Sequence, residues 1–168
     1  MLYDNLQFAY KQITGNFTMI ARLTSLELPT GLSTANVRAG IQIRASLADD
    51  ARYFGVVVRG SVKGQWEQRL TDGGQVSSST LTGFTLNSLP PTTPVWLKLQ
   101  RVDQTISVWA STDAVTWYPT GTGKTQTFSS ANSATPLGDV TYVGMYGVSG
   151  STSITSTSIF DNVSLTAN

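Results

Sequence analysis

Apolar residues in this chain recur at every second position and almost nowhere at the spacing of a helix. Val95, Leu97 and Leu99 alternate with Trp96, Lys98 and Gln100. After the turn Val102-Asp103-Gln104, Ile106, Val108 and Ala110 alternate with Thr105, Ser107, Trp109 and Ser111. A period of two sends successive side chains to opposite faces of a pleated strand, so this pair reads as a hairpin with one dry and one wet face. Ala39, Ile41 and Ile43 stand against Gly40, Gln42 and Arg44 in the same way, as do Trp66, Gln68 and Leu70 against Gln65, Glu67 and Arg69. One stretch, 44–52, could close a single helical turn or a tight loop. The pattern predicts strands at 7–10, 17–28, 37–44, 53–59, 65–71, 83–86, 95–101, 105–111, 116–120, 126–129, 140–148 and 159–166. Turns such as Thr14-Gly15-Asn16 and Asp72-Gly73-Gly74 fall between them, and the runs 76–82, 89–94, 129–139 and 149–158 read as surface loops.

A chain of 168 residues suits one domain, 1–168, with a core of its own. Charged residues are 12% of the chain and Ser plus Thr about a quarter, which fits short strands with hydroxyl-bearing outer faces. The net charge of +1 comes from scattered residues and forms no electrostatic footprint for nucleic acid. No apolar run is long enough to predict a membrane span. Met1-Leu2-Tyr3-Asp4 lacks the basic start of a signal peptide, so an export signal has been removed or none was used. With neither Cys nor His, the chain has no disulfide, no Ser-His-Asp or Cys-His relay and no ordinary zinc site.

Several segments together resemble a known family. They are Ala39-Gly40-Ile41-Gln42-Ile43-Arg44, Asp50-Ala51-Arg52-Tyr53, Trp66-Glu67-Gln68-Arg69, Trp96-Leu97-Lys98-Leu99-Gln100-Arg101, the stretch 109–117, Tyr142-Val143-Gly144 and Phe160-Asp161-Asn162-Val163. In order and spacing they resemble the concanavalin A-like, laminin-G-like jelly rolls of the DUF1349 type, accessory modules of secreted bacterial proteins and carbohydrate-active enzymes. The resemblance implies an all-β, two-sheet antiparallel jelly-roll sandwich with one concave and one convex sheet, an extracellular or particle-surface location, and a non-catalytic role. The chain departs from the family at its start, where one or two strands usually precede 4–10. Either the edge is covered differently, or the chain is a fragment, or a neighbouring chain or another copy supplies the strand.

A site for sugars combines flat aromatics with planar, multi-donor side chains. The polar face that meets this description is Arg22, Gln42, Arg44, Glu67, Arg69, Lys98, Gln100, Trp96 and Trp109, provided their strands share the concave sheet. Trp109, between Ser107 and Ser111, is the stacking platform expected from sequence. The competing reading makes Arg44, Glu67 and Arg69 a cross-strand ion-pair ladder, with Trp96 and Trp109 covering a loop or a subunit contact. Glycoside hydrolysis needs two carboxylates on one face, and only Glu67 lies mid-strand on a polar face, so no catalytic residue is predicted.

In 111–117, Asp113 is expected to cap a turn with Trp117 packed beneath it, Ala114 standing where glycine is usual. Asp161, with Asp139 or Asp4, could gather around a Ca2+ ion, although Asx residues at strand ends more often bond their own backbone. No cofactor is required. Two functions remain open. One is a carbohydrate-binding domain holding a polysaccharide or glycan on the concave sheet. The other is a structural subunit of an extracellular filament, surface layer or virion, assembled through sandwich edges and aromatic contacts.

Overall fold

The computed structural model describes residues 5–60, 63–86 and 94–168. The described chain forms eleven strands: β1 (Gln7–Thr14), β2 (Phe17–Leu26), β3 (Arg38–Arg44), β4 (Tyr53–Arg59), β5 (Lys63–Arg69), β6 (Val76–Thr80), β7 (Val95–Val102), β8 (Thr105–Ser111), β9 (Lys124–Thr127), β10 (Val140–Val148) and β11 (Ser158–Ala167). A single 3-10 turn, Ser130–Asn132, is the helical element among the described residues. All pairings are antiparallel. A front sheet runs β1-β10-β3-β4-β5-β6, and a back sheet runs β11-β2-β7-β8-β9. The expected all-β, two-sheet sandwich is what forms. Among the described residues no helix is long and apolar enough to cross a membrane, which leaves β-barrels unaddressed.

The alternating residues close the core between the sheets. Ile41 and Ile43 on β3 and Phe54, Val56 and Val58 on β4 face Leu97 and Leu99 on β7 and Ile106 and Val108 on β8, all fully buried. Burying side chains of this size removes on the order of 2 kcal/mol each from water, which drives the two sheets together. Arg101 shuts one end of the core. Its guanidinium, buried and lowered in pKa by desolvation, donates to the carbonyls of Asp103 at 2.9 Å and Gly138 at 3.0 Å and to Thr141 Oγ1 at 3.2 Å.

Strand boundaries differ from the sequence expectation where side chains do not decide them. The run 76–82 contains β6, an exposed edge strand held by its register with β5, Gln65 to Thr80 through Arg69 to Val76. Its serines carry no hydrophobic alternation to read. Segment 83–86 instead leaves the sheet, and Phe84 and Leu86 drop into the core. Segment 116–120 keeps only a bridge between Tyr118 and Ala110. Residues 45–50 form bends and turns without a helix. The expected loop at 89–94 lies outside the described residues up to 93, with Pro94 irregular.

The turn after β8 carries the expected Asp113 cap. Asp113 Oδ1 accepts from the amides of Val115 at 2.8 Å and Thr116 at 2.7 Å, and Ser111 Oγ accepts from Ala114 N at 2.9 Å. Ala114 sits at φ 62°, in the left-handed region that a Cβ disfavours. Ala114→Gly is therefore expected to raise stability by about 0.5–1 kcal/mol, the left-handed penalty less the extra chain entropy of glycine, read as a higher urea midpoint at unchanged slope.

Candidate functional site

On the front sheet, the faces opposite the core line up in rows across the strands. Tyr10, Gly144, Gln42, Gly55 and Glu67 stand side by side from β1 to β5. The next row holds Phe8, Tyr146, Gly40, Val57 and Gln65, and the row on the other side Tyr142, Arg44, Tyr53 and Arg69. This outward face is buried to a degree unusual for the wet side of a sandwich: Glu67 and Gln42 are 1% exposed, Tyr146 3% and Tyr53 4%. Over it opens a recess of about 520 Å3, floored by Gln42, Tyr53, Glu67 and Tyr146, walled by Arg38 and Val148, and rimmed by Asn5, Leu6 and the hydroxyl-rich segment 149–152.

Glu67 organises the floor. Its carboxylate accepts from Arg59 Nη2 at 2.5 Å and from the Tyr146 hydroxyl at 3.2 Å, with Arg38 Nε at 3.6 Å. Burial, and then the negative charge of Glu67, push the Tyr146 hydroxyl well above its ordinary range. Tyr146 is thus held protonated at neutral pH as a hydrogen-bond donor. Gln42 lies in the same row as Glu67 with its amide nitrogen buried and unbonded among the described residues. A buried donor without a partner costs on the order of 1–3 kcal/mol, a deficit that a ligand acceptor can offset.

Arg44 and Arg69 do different work. Their guanidiniums lie on either side of the Tyr53 ring, 5.5 and 5.4 Å from its centroid. Arg44 donates to the carbonyls of Ala48 at 2.8 Å and Ser46 at 3.4 Å; Arg69 donates to those of Ala51 at 3.0 Å and Gly74 at 3.2 Å. They pin loop 45–52 and the following turn to the sheet, and Arg69 is fully buried, so it offers nothing to a ligand. The expected ladder through Arg44, Glu67 and Arg69 takes another form, because the ion pairs of Glu67 run to Arg59 and Arg38.

The single polar face expected from sequence is two faces. Trp96 and Lys98 belong to β7 and Trp109 to β8, in the back sheet, whereas Gln42, Arg44, Glu67 and Arg69 belong to the front sheet. With the core between them, the two sets cannot meet. Trp109 is not a stacking platform either. It is 6% exposed; an added Cβ on Gly123 would lie 2.4 Å from its ring, and the Lys98 ammonium sits 4.3 Å from its centroid. The same ammonium lies 4.3 Å from Trp117, so Lys98 is clamped between two indoles and its pKa is lowered by desolvation. Trp109 covers the loop, and its indole nitrogen donates to the Gly121 carbonyl at 3.3 Å. Trp96 carries the Arg22 guanidinium at 5.4 Å.

The acidic residues considered for Ca2+ are not assembled. Both oxygens of Asp161 accept from Arg22, which holds its carboxyl below the usual range. Asp139 lies in the loop before β10, where its carbonyl accepts from Arg101, and Asp4 lies outside the described residues. Among the described residues no group of three His, Cys, Asp or Glu could hold a metal.

Arg38 and Tyr53 line the recess and Arg59 supports it through Glu67, and none of the three was among the expected site residues; Tyr146, which also lines it, was expected only as an aromatic contact between copies. The parity of β10 carried a usable signal, since Tyr142, Gly144 and Tyr146 alternate with Val143 and Met145. What parity alone could not supply is that β10 lies between β1 and β3.

No family model matches the chain, and no curated protein matches it by sequence. Solved structures do match. A functionally unknown protein from Saccharomyces cerevisiae is 18% identical, with a TM-score of 0.63 over 96% of this chain and 74% of that one. A family 7 alginate lyase, A1-II', in complex with its product is 12% identical, with a TM-score of 0.59 over 92% of this chain and 63% of that one. A xylan β-1,4-xylosidase from Bacillus halodurans is 16% identical, with a TM-score of 0.57 over 90% of this chain but only 27% of that one. The fold is a concanavalin A-like jelly roll.

Glu67→Leu would remove the acceptor that Arg59, Arg38 and Tyr146 share, and a loss of about 3 kcal/mol in urea unfolding is expected. Asp113, with a pKa lowered from 3.8 to about 2 mainly by the Thr116 and Val115 amides, contributes stability that is fully present above 3.8 and lost as pH falls through about 2. The amide resonances of Val115 and Thr116 are expected to titrate near that value, and Asp113→Asn to abolish the transition.

Proposed function

We propose that this chain is a non-catalytic carbohydrate-binding domain that holds a polysaccharide or glycan in the recess of the front sheet. Its place would be that of a DUF1349-type accessory module outside the cell or at a surface. The observation that carries the reading is the buried floor, where an unbonded amide nitrogen on Gln42 and the Tyr146–Glu67–Arg59 network lie under a recess of about 520 Å3. That volume is in the range of small-molecule sites, and planar amide, guanidinium and phenol groups match the in-plane donors and acceptors of sugar hydroxyls. The structural neighbours, an alginate lyase and a xylosidase among them, support a saccharide over other polar ligands.

The absence of turnover rests on the same floor. Hydrolysis by two carboxylates needs a second acid about 5–10 Å from the first, and Glu67 is the one carboxylate among the described residues lining this recess. It is already engaged by two arginines and a phenol. Tyr146 is held as a donor and would be a poor base.

Titration calorimetry against xylo-oligosaccharides and alginate oligosaccharides, with chromatography of the same mixtures after a day, tests both halves. At least one series is expected to bind and remain uncleaved, and Gln42→Ala to weaken binding ~10-fold. Cleavage products lost in Glu67→Gln would make it an enzyme. No binding to any glycan, together with concentration-dependent assembly by light scattering, would instead favour a structural subunit.

A further inference from the structure

The recess does not end at Gln42. Beside it on the same face lies a second hollow of about 240 Å3, lined by Leu6, Phe8, Tyr10, Arg44, Leu47 and Asp49, and Leu6 is common to both. Its wall is an aromatic cluster. The rings of Phe8 and Tyr10 stack at 5.4 Å and 28°, and Tyr142 meets Tyr10 edge-on at 5.6 Å and 77°. Tyr10 is nonetheless 49% exposed, the most open aromatic side chain of the front sheet's outer face. The cluster is held in one orientation by ring-on-ring contact while leaving apolar ring surface in water, which is the state a stacking surface for sugar C–H faces needs.

The register supplies the spacing. Tyr10 and Gln42 occupy one row, separated only by Gly144 on β10, so no side chain rises between them. Two inter-strand steps put them about 10 Å apart, roughly the length of two linked pyranose rings. Resting on the carbohydrate reading above, we infer that Phe8, Tyr10 and Tyr142 form a second subsite, and that the ligand is an internal stretch of polysaccharide lying across the strands. Gln42 and Glu67 hold one sugar by hydrogen bonds, and the aromatic cluster holds a sugar two or so units along the chain by stacking. A lone terminal sugar would fill the first hollow and leave the aromatic wall untouched.

The test is calorimetry with xylo-oligosaccharides and alginate oligosaccharides of two to six units, on wild type, Tyr10→Ala and Tyr10→Trp. Tyr10 lies on an exposed edge strand, and near-ultraviolet dichroism checks that each variant is folded. In the wild type, affinity is expected to rise about five-fold or more between two and four units and then level off. Tyr10→Ala is expected to bind the shortest oligomer as wild type does but to lose that gain, and Tyr10→Trp to keep it. Affinity independent of length, or a length gain unchanged in Tyr10→Ala, overturns the second subsite while leaving the recess as a sugar site. Wild type that binds no saccharide overturns both. Self-association abolished by Tyr10→Ala, with no effect on sugar affinity, would assign the cluster to contact between copies instead.

Discussion

A carboxylate buried in the middle of a sheet is tolerable only if its charge and lone pairs are answered on the spot, and the front sheet is organised around that requirement at Glu67. Its inner neighbours are core, so solvation must come from the same outward face. Arg59 on β4, Tyr146 on β10 and Arg38 on β3 all converge on it from strands other than its own. The network therefore crosses four strands and fixes their lateral register from above, while the hydrophobic core fixes it from below. Such networks are costly to leave half satisfied and rigid when complete. A rigid polar floor is also what a site for a hydroxylated ligand requires, because groups already ordered by one another lose little further entropy on binding.

Arginine does in this chain some of what disulfides do in other β domains. With no cysteine to staple long connections, three guanidiniums buried to within 3% of completely reach from the sheets to loop carbonyls: Arg44 and Arg69 to 45–52 and Gly74, and Arg101 to 138–139. Each supplies several donors in a fixed plane, so one side chain can satisfy carbonyls that a loop folded over a sheet would otherwise leave unpaired. The tyrosine between Arg44 and Arg69 shields both charges with its π faces. Arginines of this kind are easily mistaken for ligand-binding residues, since composition and parity look the same in both roles.

That confusion marks the limit of what the sequence could say. Alternation identified strands that turn one face to the core, including β3, β7, β8 and β10, and the apolar run 53–59 marked β4, because transfer of Val, Ile and Leu from water is a strand-by-strand effect. It placed Gln42 and Glu67 correctly on an outward face. It could not distribute strands between sheets, a long-range choice made by pairing, and so it merged Trp96, Lys98 and Trp109 with residues on the far side of the core. It also could not see that a loop folds back over Trp109, since Gly121 and Gly123 contact the ring by lacking side chains. The serine strand β6 was silent for the same reason: backbone pairing, not side-chain burial, places it.

The absence of side chains shapes the front face as well. Gly40, Gly55 and Gly144 lie in the three central strands and cluster around Gln42, where glycine weakens a sheet through its entropy and leaves nothing to pack. An added Cβ would sit 2.2 Å from the Val56 carbonyl oxygen at position 40, 2.5 Å from that of Ile41 at 55, and 2.1 Å from that of Ala9 at 144. The backbones there approach too closely for any larger residue. The same three positions leave a trough without side chains on both sides of Gln42. One geometric fact, the close approach of four neighbouring strands, thus accounts both for the glycines and for the hollow in which Gln42 lies beside Glu67 and Tyr146.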